Sequence, residues 1–342
     1  MFRNGTIGSH RTCNRIVRSA TNDHLANRDG SISDAQVKLV QTLAENRVGV
    51  IITGHLAVDE RYRASGNQLL ISEDRFIPGL TKLAEAAHSS NALIYGQISH
   101  GGLNAENNPF DINTVSAEAI EEAVSRFAEA AVRLERSGFD GVQLHLAHGY
   151  LLANVLDPTI NHRTDSYGGN DENRVRLVRD IILAIREKCT AEFDILVKLN
   201  ANSRELTPYD STLKYYVREL ETAGVDAIEV SGVNFAKFDR DQGNYFLREA
   251  LLIKETVRIP VILVGGVAER KYMEEAMAAG IDFVSFARAF VCEPEFVTNL
   301  MNGSDKPRCV KCWQCLRLFR SKYKNCVFLP EDPQLRTIFA DD

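Results

Sequence analysis

RSGFDGVQLH (residues 136–145), TAGVDAIEVS (222–231) and AAGIDFVSFA (278–287) share one pattern: helix end, glycine, apolar residue, aspartate, then strand. Gly138, Gly224 and Gly280 suit the left-handed backbone position that stops a helix, and the apolar residue that follows begins a buried strand. From Gly224 to Gly280 is a step of 56 residues, two βα units of about 28 each, near the size of such a unit. The 86 residues from Gly138 to Gly224 fit two units plus a long loop over 151–174, which is rich in turn residues.

Working outward from this repeat, short apolar runs at 15–20, 48–53, 93–99, 141–146, 195–200, 227–231, 260–265 and 283–287 read as eight strands. Most are near-continuous in apolar character, as expected of parallel strands covered on both faces. Amphipathic stretches lie between them. Over 116–137, Ile120, Val124, Phe127, Ala131 and Leu134 recur at helical steps, and Val175, Val178, Ile182 and Ile185 do the same. Eight such units closing on themselves make a (β/α)8 TIM barrel. No GxGxxG follows a strand, so an open dinucleotide-binding sheet is disfavoured. The first ten or so residues, and everything beyond about Pro294, fall outside the repeat. The expected division is a barrel over residues 1–300 and a short C-terminal Cys-rich extension, 301–342, packed on it.

The composition is that of an ordinary globular protein, 44% apolar and 25% charged in 342 residues. A net charge of −6 argues against a sequence-independent grip on nucleic acid or an anionic membrane. No run approaches the roughly 18 apolar residues of a membrane span, and the opening residues lack the apolar core of a signal peptide. The expectation is a cytoplasmic protein. Four of its seven cysteines, Cys309, Cys312, Cys315 and Cys326, crowd into one short stretch. With no export signal, that crowding points to metal rather than disulfides.

Catalytic groups of a TIM barrel sit at the C-terminal ends of its strands and in the loops that follow. Those positions hold Thr21 and Asn22, Gln97 and His100, His145, His148 and Tyr150, Lys198 and Asn200, Gly265 and Gly266, and Arg288. The Gly265–Gly266 pair allows close backbone approach to a ligand, and Arg288 adds a bidentate cation. Loops seven and eight commonly hold a phosphate, so a phosphorylated ligand is favoured over a tight turn beside a surface arginine.

The segment HLAHGYLLANVLDPTINHRTDSYGGNDENR, 145–174, resembles the old yellow enzyme family of FMN-dependent oxidoreductases. NRIVRSAT at 14–21, GQISHGG at 96–102, ILVKLNAN at 195–202, VGGV at 264–267 and SFARAF at 285–290 extend the resemblance over roughly 14–300. It implies that Gln97 pairs with the flavin pyrimidine edge, since an amide offers donor and acceptor to an imide. Lys198 stands where the family usually has arginine near the flavin N1, keeping the charge but losing the planar fork. Backbone around Ala20, Thr21 and Asn22 would face N5 and O4, although the family often has threonine or cysteine where Asn22 stands. Gly265, Gly266, Ala287 and Arg288 would hold the phosphate. His145 and His148 would grip a substrate carbonyl oxygen, and Tyr150 would be the proton donor.

Strand positions three apart face opposite sides, so both histidines reach one pocket only if the chain leaves the strand near Ala147, a bend that Gly149 permits. A zinc site and satisfied core histidines are the other uses of such a pair. The segment 161–174 reads as scaffold, while His24 and His55 read as ordinary and His100 as able to approach the flavin.

The spacing Cys309-x2-Cys312-x2-Cys315-x10-Cys326 suits a cluster ligand set. It is similar to the tail of the family's dienoyl-CoA reductases and amine dehydrogenases, which bind [4Fe–4S] there. Four thiolates also suit zinc. Trp313 replaces those proteins' usual asparagine, and the sequence ends at Asp342 without their second, dinucleotide-binding half. The reading is an FMN-dependent NAD(P)H oxidoreductase of ene-reductase type, reducing the C=C bond of an α,β-unsaturated carbonyl compound. The alternative is an iron–sulfur flavoenzyme with an external redox partner. A Schiff-base lyase built on Lys198 and a non-catalytic binding protein are the other classes. A homo-oligomer is compatible with all of them, and Cys13, Cys189 and Cys292 read as isolated.

Overall fold

The structure is a computed structural model that describes residues 1–203, 209–233, 238, 242–317 and 326. Among these residues, eight parallel strands close into a barrel: Ile16–Arg18, Val50–Ile52, Leu93–Ser99, Gly141–Leu146, Asp194–Asn200, Ala227–Ser231, Val261–Val264 and Phe283–Phe286. Each pairs with the next, and the eighth returns to the first through Ser285 opposite Val17. The expected strands coincide with these to within two residues at either end. The protein is a (β/α)8 TIM barrel.

The repeated Gly-x-Asp has a physical reason. Gly138, Gly224 and Gly280 adopt φ of 81, 107 and 104° and end their helices. Each following aspartate then bonds twice to the start of the preceding barrel strand. The Asp140, Asp226 and Asp282 carboxylates accept from the backbone N–H of Ile94, Ile195 and Val261 at 2.7, 2.6 and 2.8 Å. Their own N–H groups donate to the carbonyls of those same residues. The motif therefore sets strand register as well as stopping the helix. Gly280 has nothing within 4 Å of where a Cβ would stand, so Gly280→Ala tests backbone conformation alone. It should destabilise the fold by about 1–2 kcal/mol, read as a lower urea midpoint at unchanged slope.

Side chains alternate along each strand. One set faces the surrounding helices, where Ala117–Arg136 buries Ile120, Phe127, Ala131 and Leu134. The other fills the barrel, with Val17, Val50, Ile52, Tyr95, Leu196, Ile262 and Phe283 packed as one cluster. The N-terminal residues that stand outside the repeat form a hairpin, Gly5–Ile7 with His10–Thr12. Its Ile7 joins that cluster, and the Ser9 N–H and the His10 ring bond the Asp194 carboxylate at 2.9 Å.

One expectation is corrected. The stretch 151–174 is not all loop: Leu151–Leu156 is a helix, every residue of it buried, because LLANVL is apolar enough to pack beneath the fourth strand's exit. The rest is scaffold as read, for Asn161 donates to the carbonyls of Val155 and Tyr167, and Arg163 to those of Ile112 and Val115. Beyond the barrel, Phe296–Met301 buries Phe296, Val297 and Leu300. Among the described residues no helix is long and apolar enough to cross a membrane.

Candidate active site

A cavity of about 480 Å³ opens at the C-terminal ends of the strands, within the range of small-molecule sites. Its wall carries Ala20, Thr21 and Asn22, then Gln97 and Lys198, then His145, His148 and Tyr150, and finally Gly265, Ala287 and Arg288. Residues from six strand ends thus meet as the barrel rule requires. Gly266 is the exception among the barrel positions. It lies behind the wall at φ 73°, where a Cβ would stand 2.8 Å from the backbone of Asn244 and meet the ring of Tyr245.

At one end of the cavity, Gly265 takes φ 114° beside Arg288, whose Nη1 is buried without a hydrogen-bond partner. A buried guanidinium N–H left unpaired next to a glycine turn is the donor set an anion would satisfy. The Trp313 ring covers the other side of that guanidinium at 3.7 Å. These features fit the phosphate of FMN.

The middle of the site is a buried polar layer across the barrel. Gln97 Nε2 donates to Gln143 Oε1 at 2.7 Å, and Gln143 Nε2 donates to Glu229 Oε2 at 3.1 Å. Ser19 and Ser285 donate to Glu229 Oε1, both at 2.7 Å. Lys198 Nζ pairs with Glu229 at 3.4 Å and donates to Ser19 Oγ at 2.6 Å. Because a carboxylate only accepts, Glu229 turns the Gln143 amide nitrogen toward itself, and the Gln143 oxygen in turn takes the Gln97 nitrogen. That order leaves the Gln97 oxygen as acceptor on the cavity side, suited to an imide N–H.

At the far end the chain does leave the fourth strand where two histidines would require it. His148 and Gly149 take φ of 63 and 81°, a left-handed pair just past Leu146. This turn brings the His148 ring to 5.1 Å from that of His145, and the Tyr150 ring to 4.9 Å. His148 Nε2 meets Ser231 Oγ at 3.0 Å, while His145 Nδ1 is buried without a partner. Burial, with Lys198 nearby, holds His148 down to about 3; burial, His148, His55 and Lys198 hold His145 well below the usual imidazole range. Both are neutral at pH 7, each with one N–H to offer. Burial pushes the Tyr150 phenol up, so it keeps its proton.

These shifts carry a stability consequence. His148 near 3 and His100 near 4, the latter buried against Tyr62 and Phe110, take up protons far below the unfolded value of about 6.5. Between those limits the unfolded chain binds more protons, so stability must fall as pH drops from about 6.5 toward 4. Thermal midpoints measured over that window should decline, and less steeply in His100→Phe.

His100 does not line the cavity, whereas His55, read as ordinary, does. Ser19, Ser231, Tyr245 and Phe246 also lie on the wall, and Gln143 and Glu229 lie beneath it. The available signal was parity: Gln143 and Glu229 stand an even number of residues from His145 and Ser231, on the inward face of otherwise apolar strands.

Among the described residues no metal site is found at the expected cysteines. Cys309, Cys312, Cys315 and Cys326 are partly buried, and among the described residues no group of three or more His, Cys, Asp or Glu is placed to hold a metal. Lys311 and Trp313 adopt φ of 54 and 62°, with Lys311 paired to Glu269 and Trp313 lying on Arg288. These contacts seat the segment against the barrel, and Cys315 lines the cavity. Cys309 lies near enough to Cys312 and Cys326 to interact with both, and Cys292 bonds Cys326.

Comparison with known proteins agrees with the site. Residues 1–306 match the NADH:flavin oxidoreductase / NADH oxidase family. The chain is 32% identical to an NADH oxidase of Thermoanaerobacter brockii over 96% of its own length and 56% of that protein. It is 30% identical to a metal reductase of Desulforamulus reducens over 96% of itself and 53% of that protein. It thus spans about half of these relatives. An NADPH dehydrogenase of Bacillus cytotoxicus is 31% identical over 88% of this chain and 92% of that one. Among solved structures, the old yellow enzyme homologue of Zymomonas mobilis shares the fold with a TM-score of 0.77 at 19% identity, over 91% of this chain and 95% of that one. A 2-naphthoyl-CoA reductase complex aligns at TM-score 0.81 and 22% identity, over 88% of this chain and 52% of that one. The chain belongs to the NADH:flavin oxidoreductase / NADH oxidase family, the old yellow enzyme family of flavin-dependent oxidoreductases.

Proposed function

We propose that this chain is an FMN-dependent NAD(P)H oxidoreductase that reduces the C=C bond of an α,β-unsaturated carbonyl compound. The observation that carries the reading is a single cavity with an anion cradle at one end and neutral imidazoles beside a protonated phenol at the other. Gly265, Ala287 and Arg288 would hold the cofactor phosphate, Gln97 and Lys198 its pyrimidine side, and backbone at Ala20, Thr21 and Asn22 its central ring. FMN, when bound, supplies a two-electron carrier between reduced nicotinamide and the alkene.

His145 and His148 donate N–H bonds to the carbonyl oxygen, and these strengthen as negative charge builds on it. Tyr150 gives its phenolic proton to the α-carbon while hydride arrives at the β-carbon. Overall, NAD(P)H, one proton and the alkene become NAD(P)⁺ and the saturated carbonyl compound, and solvent restores the tyrosine proton.

The test is an anaerobic titration. Purified protein should show flavin absorbance that NADH or NADPH bleaches and 2-cyclohexenone restores, with cyclohexanone as product. Colourless protein that FMN cannot reconstitute would overturn the reading. The cysteine spacing, and relatives about twice this length, support the alternative of an iron–sulfur flavoenzyme with a separate redox partner. Stoichiometric iron in anaerobically purified protein would favour it.

A further inference from the structure

We infer that Trp313 is a cofactor-site residue: it holds the Arg288 guanidinium ready for the FMN phosphate, and so makes the segment around 309–315 part of the binding site. The inference rests on the FMN reading above and assigns to that site a residue from outside the barrel strands. Trp313 lines the cavity together with Gly265, Arg288 and Cys315. It is the one tryptophan of the chain.

An unsupported arginine side chain samples many rotamers, and a ligand that needs it in one of them carries the cost of ordering it. Trp313 removes that cost in advance. The centre of its ring lies 3.7 Å from the Arg288 guanidinium carbon, the contact of a cation–π pair. Guanidinium N–H groups lie in the plane of the cation, so a ring over its carbon uses the face and none of the donors. Arg288 Nη1 is accordingly buried with no hydrogen-bond partner. A carboxylate in the place of Trp313 would also hold the arginine, but by taking those donors and cancelling the charge. The aromatic ring holds the cation and leaves both for an anion.

The backbone that carries the ring is itself held in place. Trp313 takes φ 62° and Lys311 φ 54°, a left-handed region that bulky side chains rarely adopt. Such a conformation persists only where surrounding contacts over-determine it. Those contacts come from the barrel. Lys311 Nζ pairs with Glu269 at 3.3 Å. The adjacent Arg270 donates its backbone N–H to the Asp305 carbonyl at 2.7 Å, and its guanidinium to the carbonyls of Leu300 and Ser304. Anchors on both sides of Cys309 thus deliver the indole to Arg288.

The experiment titrates the whole chain, freed of flavin, with FMN and with riboflavin, which lacks the phosphate, and reads flavin fluorescence. Wild type should bind FMN the more tightly. Trp313→Leu keeps an apolar side chain but no π face. It should raise the FMN dissociation constant about three- to tenfold, the scale of ordering one long side chain, and leave that of riboflavin unchanged. Trp313→Phe keeps a ring and should recover most of the loss. Lys311→Met releases the anchor and should weaken FMN in the same selective way, to a smaller degree. Circular dichroism reports whether each variant is folded. Unchanged FMN affinity in Trp313→Leu, or equal weakening of FMN and riboflavin, overturns the inference. Should that variant not fold, wild type alone decides, because all tryptophan emission comes from Trp313. Bound FMN should shield that emission from acrylamide, and emission that stays equally quenchable overturns the inference. A wild type that binds FMN no more tightly than riboflavin overturns the phosphate reading of the site itself, and the role of Trp313 with it.

Discussion

Tyr150→Phe is expected to slow alkene reduction by about 10²–10⁴-fold, the usual contribution of a positioned general acid, while NAD(P)H still bleaches the flavin at its wild-type rate. Burial keeps the phenol beside the imidazoles protonated. Both histidines are held neutral, and His148 already meets Ser231 through Nε2. Phenylalanine keeps the ring contacts with His55 and His145 and removes only the hydroxyl. Stopped-flow measurement of the two half-reactions separates the effects. Equal slowing of both, or no slowing of the oxidative one, would show that the proton comes from elsewhere.

The second large effect concerns a residue that would not touch substrate. Glu229 is fully buried, accepts from Ser19, Ser285 and Gln143, and pairs with the nearly buried Lys198. Glu229→Leu strands the Lys198 ammonium without its counter-charge. The expected cost is about 3–5 kcal/mol of folding stability, measured by urea unfolding. The double variant Glu229→Leu, Lys198→Met removes both charges and should recover most of that loss. If the single and double variants are equally unstable, the pair is not what holds this layer. Glu229→Gln keeps the size but presents an N–H as well as an oxygen, so the amide order from Gln143 to Gln97 is no longer dictated. Weaker FMN binding, with smaller loss of stability than in Glu229→Leu, is the expected result.

Most of the cavity wall was legible in the sequence because the fold places function at repeated positions. Once Gly138, Gly224 and Gly280 mark helix ends, the strand ends follow by counting, and Gln97, His145, Lys198 and Arg288 stand on them. His148 and Tyr150 required a bend, and Gly149 announced it. The polar layer was less legible. Gln143 and Glu229 lie in strands whose apolar runs suggest burial without telling which face is polar. Only strand parity across the closed barrel shows that they face each other.

The amino-acid sequence by itself determined the barrel, the family motifs and the chemical types available at each strand end. Those features depend on local periodicity, on turn residues and on spacing along the chain. Tertiary structure alone decided which groups meet. It set His55 beside Tyr150, joined Glu229 to Lys198 and seated Trp313 on Arg288. Hydrogen bonds and ion pairs act over a few ångströms between side chains tens of residues apart, so their partners exist only once the barrel has closed.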